Sequence, residues 1–286
     1  MTLTPFEIFS PDQVTTSVVF ASPHSGRDYG AAFLSRSILS AHDIRSSEDA
    51  FVDQLFDCVP DFGAPLLCAH APRAYVDLNR GPDELDPAVI EGVRRRGHNP
   101  RIASGLGVIP RVVANGRPIY RGKLPLAEAH RRLSTAWHPY HDALEDLLRA
   151  AQRRFGEAIL VDCHSMPHEA VDCIARNGAP RPDVVIGDRF GASADGALVD
   201  RIETILAGAG LNVVRNAPFA GAYVTQRYGR PGRNQHAVQI EFDRALYMDE
   251  QTLRPTAGFA EMRQLLRVVV GAVAELGRPA LPLAAE

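Results

Sequence analysis

Short apolar, β-branched runs alternate along the chain with longer stretches whose apolar residues recur every three or four positions. That alternation predicts an α/β fold with a largely parallel sheet. The strand pattern falls on Ser17–Ser22, Pro65–Ala69, Ala74–Leu78, Ala158–Cys163, Asp183–Gly187, Asn212–Arg215 and Ala237–Phe242. Ile159-Leu-Val161 and Val184-Val-Ile186 are apolar at successive positions, so both faces of these strands need covering helices. The clearest helix begins near Pro125, whose missing N–H is harmless in a first turn. Leu133, Trp137, Tyr140, Leu144, Leu147 and Ala151 follow on one stripe, with Pro139 expected to kink or divide the run. Further helices are expected at Asp49–Cys58, Ala194–Ala207 and Gly258–Leu276.

Two stretches carry no such pattern. The first, about 81–123, holds Gly81-Pro82, Asp86-Pro87, Arg94-Arg-Arg-Gly97, Gly105-Leu-Gly107 and Gly116-Arg-Pro118; the second runs from Phe219 to His236. Long irregular segments inside a compact domain are often active-site covers. One domain over 1–286, with two large loops beside its site, is therefore expected. The tail 279–286 is expected to be loosely held.

Composition narrows the class. The chain has 286 residues, 45% of them hydrophobic, with 31 Lys and Arg against 34 Asp and Glu for a net charge of −3. This is no footprint for nucleic acid or an anionic membrane. No apolar run approaches the ~20 residues of a membrane span, and the first residues show no secretory pattern. The four cysteines have no Cys-x-x-Cys spacing. A soluble, cytoplasmic protein is expected. Gly191-Ala-Ser-Ala-Asp195 misses a nucleophile elbow by one residue. Gly105-Leu-Gly-Val-Ile-Pro110 lacks the third glycine of a dinucleotide fingerprint, and Gly116 to Gly122-Lys123 is one residue too long for a P-loop.

Chemistry gathers where strands end, the usual ligand edge of an open α/β sheet. Two strands each deliver a histidine followed by serine, in Ala21-Ser-Pro-His-Ser-Gly26 and Val161-Asp-Cys-His-Ser-Met-Pro167. His24 and His164 can be structural hydrogen-bonding groups or two metal ligands, and a catalytic zinc needs a third, such as a carboxylate. Glu48 and Asp49 offer one, although acidic residues suit a first helical turn for capping and dipole reasons alone. Asn79 and Arg80 close Asp77-Leu-Asn-Arg80 either as a polar turn or as a grip on a carboxylate, which the arginine fork fits. Gln239 and Glu241 share a strand face. A buried glutamate there needs a salt-bridge partner or a function.

In family order, Ser22-Pro-His-Ser-Gly26, Ser47-Glu-Asp-Ala-Phe-Val-Asp53, Arg73-Ala-Tyr-Val-Asp-Leu-Asn-Arg80, Asp162-Cys-His-Ser-Met-Pro167, Gly187-Asp188 and Gln239-Ile-Glu-Phe-Asp-Arg-Ala-Leu-Tyr-Met-Asp249 extend over most of the chain. This ordered set resembles the N-formylglutamate amidohydrolase family, also called N-formylglutamate deformylases. The resemblance implies a three-layer α/β/α sandwich with a mixed, largely parallel sheet, distantly like zinc carboxypeptidases. It implies Zn2+ held by His24, Asp49 and His164, with Glu48 an alternative carboxylate because Ala50 stands where the family has tryptophan. It also implies substrate-binding roles for Asn79 and Arg80, and Glu241 as general base. Arg73 is the candidate oxyanion stabiliser, in competition with Arg227, Arg230 and Arg233. The expected activity is hydrolysis of the amide of an N-formyl or other short N-acyl amino acid, a small-molecule substrate. A zinc peptidase or deacylase of another substrate, and a non-catalytic binder on the same scaffold, are the alternatives.

Overall fold

The computed structural model describes residues 4–94, 97, 99–172, 174 and 180–279. The tail expected to be loose lies outside them apart from its first residue, as do Cys173 and part of the 94–97 arginine run. Seven strands form one sheet: β1 (Phe6–Phe9), β2 (Val18–Ser22), β3 (Leu66–Ala69), β4 (Ala158–Met166), β5 (Val184–Gly187), β6 (Val213–Arg215) and β7 (Gln235–Asp243), in the order β1-β3-β2-β4-β7-β5-β6. β1 runs antiparallel to β3 and β5 antiparallel to β7; the other neighbours are parallel. The helices are α1 (Ala31–Leu34), α2 (Val52–Leu55), α3 (Pro100–Ala103), α4 (Leu126–Arg132), α5 (His138–Phe155), α6 (Gly196–Gly208), α7 (Tyr223–Tyr228) and α8 (Gly258–Leu276).

Alternation along the strands sorts the apolar residues into two cores. Val18, Phe20, Ile159, Val161, Val238 and Ile240 pack with α2, α6 and α8 on one face. Val19, Ala21, Leu160 and Ala237 pack with α4, α5, α7 and residues of the 81–123 segment on the other. The result is a three-layer α/β/α sandwich around a mixed sheet. On the second face the pattern changes along the strands, because Leu160 gives way to Asp162 and His164, and Ala237 to Gln239 and Glu241. That face is apolar where its strands begin and chemically active where they end.

Several elements differ from the sequence pattern. Ala74–Leu78 is not a strand but a series of turns, with the N–H groups of Tyr75 and Val76 both bonded to the Pro72 carbonyl. Its alternating Ala74, Val76 and Leu78 are buried in the second core, which imitates strand periodicity. The helix expected at Asp49–Cys58 is only the single turn α2, so Glu48 and Asp49 precede it in extended backbone and a bend. Phe51, at φ 68°, turns the chain into α2. β1 was missing from the pattern. The second irregular segment contains α7, tied down by Val224 and Tyr228 in the core.

Pro139 does not divide the long helix. Residues Leu133–Trp137 form a π-turn in which the His138 N–H bonds to the Leu133 carbonyl, and the chain stays helical from Leu126 to Phe155. Pro139 has no N–H to offer the Thr135 carbonyl, and the local turn is wider than α. The wide turn lets Arg132, Trp137 and His141 face the same neighbour. Arg132 Nη1 donates to the Tyr75 carbonyl (3.0 Å), Trp137 Nε1 to Arg80 (2.9 Å) and His141 Nε2 to Leu78 (2.9 Å). Three ring or guanidinium donors thus fasten the turns that carry Asp77, Asn79 and Arg80.

Candidate active site

His24 stands just past β2, and His164 lies within β4 two residues after Asp162. Asp49 reaches them because its N–H bonds to the His24 carbonyl at 3.0 Å. One donor atom from each of the three residues lies within 4.8 Å of the others, and all three residues are buried. The two imidazoles present the same nitrogen: His164 Nδ1 is 3.0 Å and His24 Nδ1 3.5 Å from Asp49 Oδ2. Each opposite nitrogen is held by its own carboxylate, His24 Nε2 by Asp77 at 2.7 Å and His164 Nε2 by Asp162 at 3.0 Å. Carboxylates behind ligating histidines fix ring orientation and raise basicity, the arrangement metal sites use.

His24 Nδ1 is buried with no hydrogen-bond partner. A buried polar atom left unpaired is costly, and this one points toward a carboxylate shared with a second histidine. Two imidazole nitrogens and one carboxylate are a catalytic-zinc donor set with a position left for water or substrate. The residues fit a divalent metal ion.

Electrostatics are dominated by burial and close opposite charges. Burial acts to raise the Asp49 carboxyl, but His164 and His24 outweigh it and hold the group well below the ordinary carboxylate range. Asp77 is likewise held low against its burial by His24 and Arg73. Glu241 goes the other way: burial lifts it, opposed by His164 and reinforced by the charge on Asp49. Glu241 sits opposite His164 in the β4–β7 register, and Gln239 Nε2 donates to its Oε1 at 2.8 Å. A buried carboxyl with raised proton affinity next to a metal-type cluster is suited to accept and return a proton.

These groups open into a cavity of about 680 Å³ whose lining includes His24, His164, Glu241, Arg73, Arg80 and Arg244. Arg73 Nε contacts Asp77 Oδ2 at 3.2 Å, and its Nη1 is 3.9 Å from Asp49. Arg80 is buried and, among the described residues, donates only to carbonyls, Nε to Leu106 (3.0 Å) and Nη1 to Asn79 (2.7 Å). Opposite, Gly187 at the end of β5 lies against residues 219–221; a Cβ there would be 2.7 Å from the Gly221 nitrogen. The Gly187-Asp188 string thus has a mechanical meaning, since Asp188 also accepts from Asn216 Nδ2 at 2.6 Å.

His24, Asp49, His164, Glu241, Arg73, Asn79 and Arg80 therefore converge. Asn79, however, spends its side chain inside the wall: Oδ1 accepts from the Val224 N–H at 2.8 Å, while Nδ2 lies 3.3–3.4 Å from Asp162, His164 and Gln239. Glu48 does not join the cluster, because Arg45 engages both its oxygens at 2.9 Å. Arg227, Arg230 and Arg233 do not line the cavity, and Arg227 lies 3.5 Å from Glu145. Sequence reasoning missed Asp77 and Asp162 as orienters of the histidines, although each stands two or three residues from a residue it did single out. It also missed Arg244, whose Nη2 donates to Asp49 Oδ1 at 3.0 Å and whose Nε donates to Ser165 Oγ at 3.2 Å.

Fold and site together define an α/β/α protein with a metal-type His/Asp/His cluster at the carboxyl ends of its strands. The family model described as N-formylglutamate amidohydrolase matches residues 16–248. An N-formylglutamate deformylase of Pseudomonas aeruginosa is 32% identical over 273 residues, covering 92% of this chain and 93% of its own. One of Pseudomonas putida is 30% identical over 247 residues, covering 85% and 86%. The crystal structure of N-formylglutamate amidohydrolase from Ralstonia eutropha superposes with a TM-score of 0.90 at 36% identity, covering 96% of this chain and 99% of that one. The chain belongs to the N-formylglutamate amidohydrolase family, a family of hydrolases. Among the described residues, no helix is long and apolar enough to cross a membrane.

Proposed function

We propose that this chain hydrolyses the amide of an N-formyl or other short N-acyl amino acid, N-formyl-L-glutamate first among them, using zinc held by His24, Asp49 and His164. The observation that carries the reading is the buried, unpartnered His24 Nδ1, which converges with His164 Nδ1 on Asp49 while Glu241 stands on the adjoining strand. The names of the relatives supply the substrate class.

Bound there, zinc supplies Lewis acidity, polarising a carbonyl and making water more acidic. Asp77 and Asp162 keep the two rings turned so that their Nδ1 atoms face Asp49. Glu241 takes a proton from the attacking water and returns it to the departing amine nitrogen, and its burial raises its proton affinity in the direction that role needs. Arg73, on the cavity wall beside Asp49, stabilises negative charge developing on the former carbonyl oxygen. Arg80 holds the α-carboxylate: among the described residues Nη2 has no hydrogen-bond partner, and Nη1 and Nε are fixed by carbonyls. Anchoring the remote carboxylate positions the scissile amide, which contributes to rate as well as affinity.

The test pairs metal analysis of the purified protein with formate release from N-formyl-L-glutamate. About one zinc per chain and stoichiometric formate are expected, with metal lost in Asp49→Ala and kept in Glu48→Ala. Full activity in a protein stripped of metal, or equal metal retention in the two variants, would sink the proposal.

A further inference from the structure

Among the described residues, four arginines line the cavity: Arg73, Arg80, Arg101 and Arg244. Two are spoken for. Arg73 contacts Asp77 and Asp49, and Arg244 contacts Asp49 at 3.0 Å and Glu250 at 3.6 Å. Among the described residues no carboxylate forms an ion pair with Arg80 or Arg101, and the Arg101 side chain makes no hydrogen bond there. The cavity thus presents two guanidinium groups without a direct ion-pair partner among the described residues, one buried and one exposed. They also act on one another: burial above all pulls the proton affinity of Arg80 down, and the charges of Arg73 and Arg101 add to it, while the charges of Asp77 and Glu84 offset it only in part. An anion entering between them relieves that repulsion.

Arg101 is not a loose surface residue, because its backbone is tied to Arg80 by two routes. The Leu106 N–H bonds to the Arg101 carbonyl at 2.8 Å, while the Leu106 carbonyl accepts from Arg80 Nε at 3.0 Å. On the other side, Asn99 caps α3 by accepting from the Arg101 and Ile102 N–H groups. Asn99 Nδ2 donates to Glu84 Oε2 at 3.0 Å, and Glu84 Oε1 accepts from the N–H of Gly81, the residue after Arg80. Gly107 lets the segment close, since a Cβ there would come within 2.5 Å of the Glu84 carbonyl oxygen. The fold therefore fixes the Arg101 backbone relative to Arg80, and the exposed Arg101 side chain reaches the cavity from that fixed point.

From this pair we infer that Arg101 reads the side-chain carboxylate of an acidic N-acyl amino acid while Arg80 holds its α-carboxylate. The inference rests on the hydrolase reading for its substrate and makes Arg101 the residue that selects acidic over neutral side chains. Exposure suits a group that meets the far end of the substrate, and Arg80 is buried where the invariant part of the substrate must sit.

The experiment compares Arg101→Gln with the wild-type protein on N-formyl-L-glutamate and N-formyl-L-glutamine. In parallel, binding of glutarate and of its monoamide is measured by calorimetry on the same metal-loaded proteins. Arg101→Gln should lower kcat/KM for the glutamate derivative about tenfold, the scale of one partly solvated charge-assisted contact, and hardly change the glutamine derivative. It should likewise erase the preference for glutarate over the monoamide. Arg101→Lys should restore part of the preference, because charge is kept and the fork is lost. Equal fractional losses on both substrates, or an unchanged glutarate preference, would overturn the assignment. A wild-type protein that releases no formate yet prefers glutarate through Arg101 would overturn the hydrolase reading and leave the dicarboxylate assignment supported.

Discussion

The floor and the wall of the cavity are built by different means. His164 and Glu241 stand on β4 and β7, paired residue for residue in a nine-rung parallel ladder. Their separation is fixed by sheet register, and a one-residue slip would turn each to the opposite face. Arg73, Arg80 and Arg101 stand on turns and one short helix, with no ladder beneath them. Their positions are set by side chains reaching in: Arg132, Trp137 and His141 from the long helix, Glu84 and Asn99 from the wall itself. The floor is rigid by backbone cooperativity. The wall is rigid only as far as each fastening holds, which suits a part that differs with the substrate.

This contrast yields predictions graded by depth. The largest effect belongs to the floor: the double variant His24→Ala/His164→Ala should lose both zinc and formate release, measured by elemental analysis and a formate assay. Full metal occupancy would end the ligand assignment. Next is Glu241→Gln, which should keep metal and fold but lower kcat by ~10²–10⁴-fold. If the variant instead lost thermal stability and kept its turnover, Glu241 would be a structural partner. The wall should show smaller, substrate-dependent effects. Arg80→Lys should cut kcat/KM about tenfold for N-acyl amino acids and hardly alter the slow reaction of their α-amides. An equal fractional loss on both would return Arg80 to the role of a turn residue.

The smallest effect tests a fastening. Burial pushes His141 down to about 3, where it stays neutral, donating from Nε2 to the Leu78 carbonyl while Nδ1 accepts from the Tyr228 hydroxyl at 2.9 Å. Its folded pKa lies below its unfolded value near 6.5. Stability from this group is therefore complete above pH 6.5 and lost as pH falls from there toward 3, because the unfolded chain binds a proton that the native chain does not. One such group contributes a slope of about 1.4 kcal/mol per pH unit. Between pH 6.5 and 4.5 the wild-type melting temperature should fall more steeply than that of His141→Gln. Parallel curves would show that His141 titrates normally.

The same contrast explains what could be read from residues alone. β2, β4 and β5 were legible because strands covered on both faces carry runs of successive apolar residues, and β7 because Val238, Ile240 and Phe242 alternate with polar positions. Gly258–Leu276 was legible because a long amphipathic helix has enough turns to show its period. The wall was not: Ala74, Val76 and Leu78 alternate like a strand although their backbone forms turns, and burial alone cannot tell the two apart. β1 went unseen because the four residues Phe6–Phe9 are too short a run to show a strand period. Glu48 and Asp49 both stood out as carboxylates that could join the histidines, but no local pattern separates the two, and only the family string favoured Asp49. Asp77, Asp162 and Arg244 act through other residues, so nothing in their own surroundings announces them.

The π-turn at Leu133–Trp137 has a consequence for chain length. Across an ordinary α-turn, groups four residues apart share a face, whereas Arg132 and Trp137 are five apart and still fasten adjacent turns. The turn therefore holds one surplus residue, and its exposed members Ser134 and Thr135 are the dispensable ones. Elsewhere in a helix, deleting a residue rotates everything beyond it by ~100°. Here a deletion converts the wide turn to a regular one and leaves Arg132, Trp137 and His141 in line. Deletion of Ser134 or Thr135 is therefore expected to leave the three fastenings of the cavity wall in place.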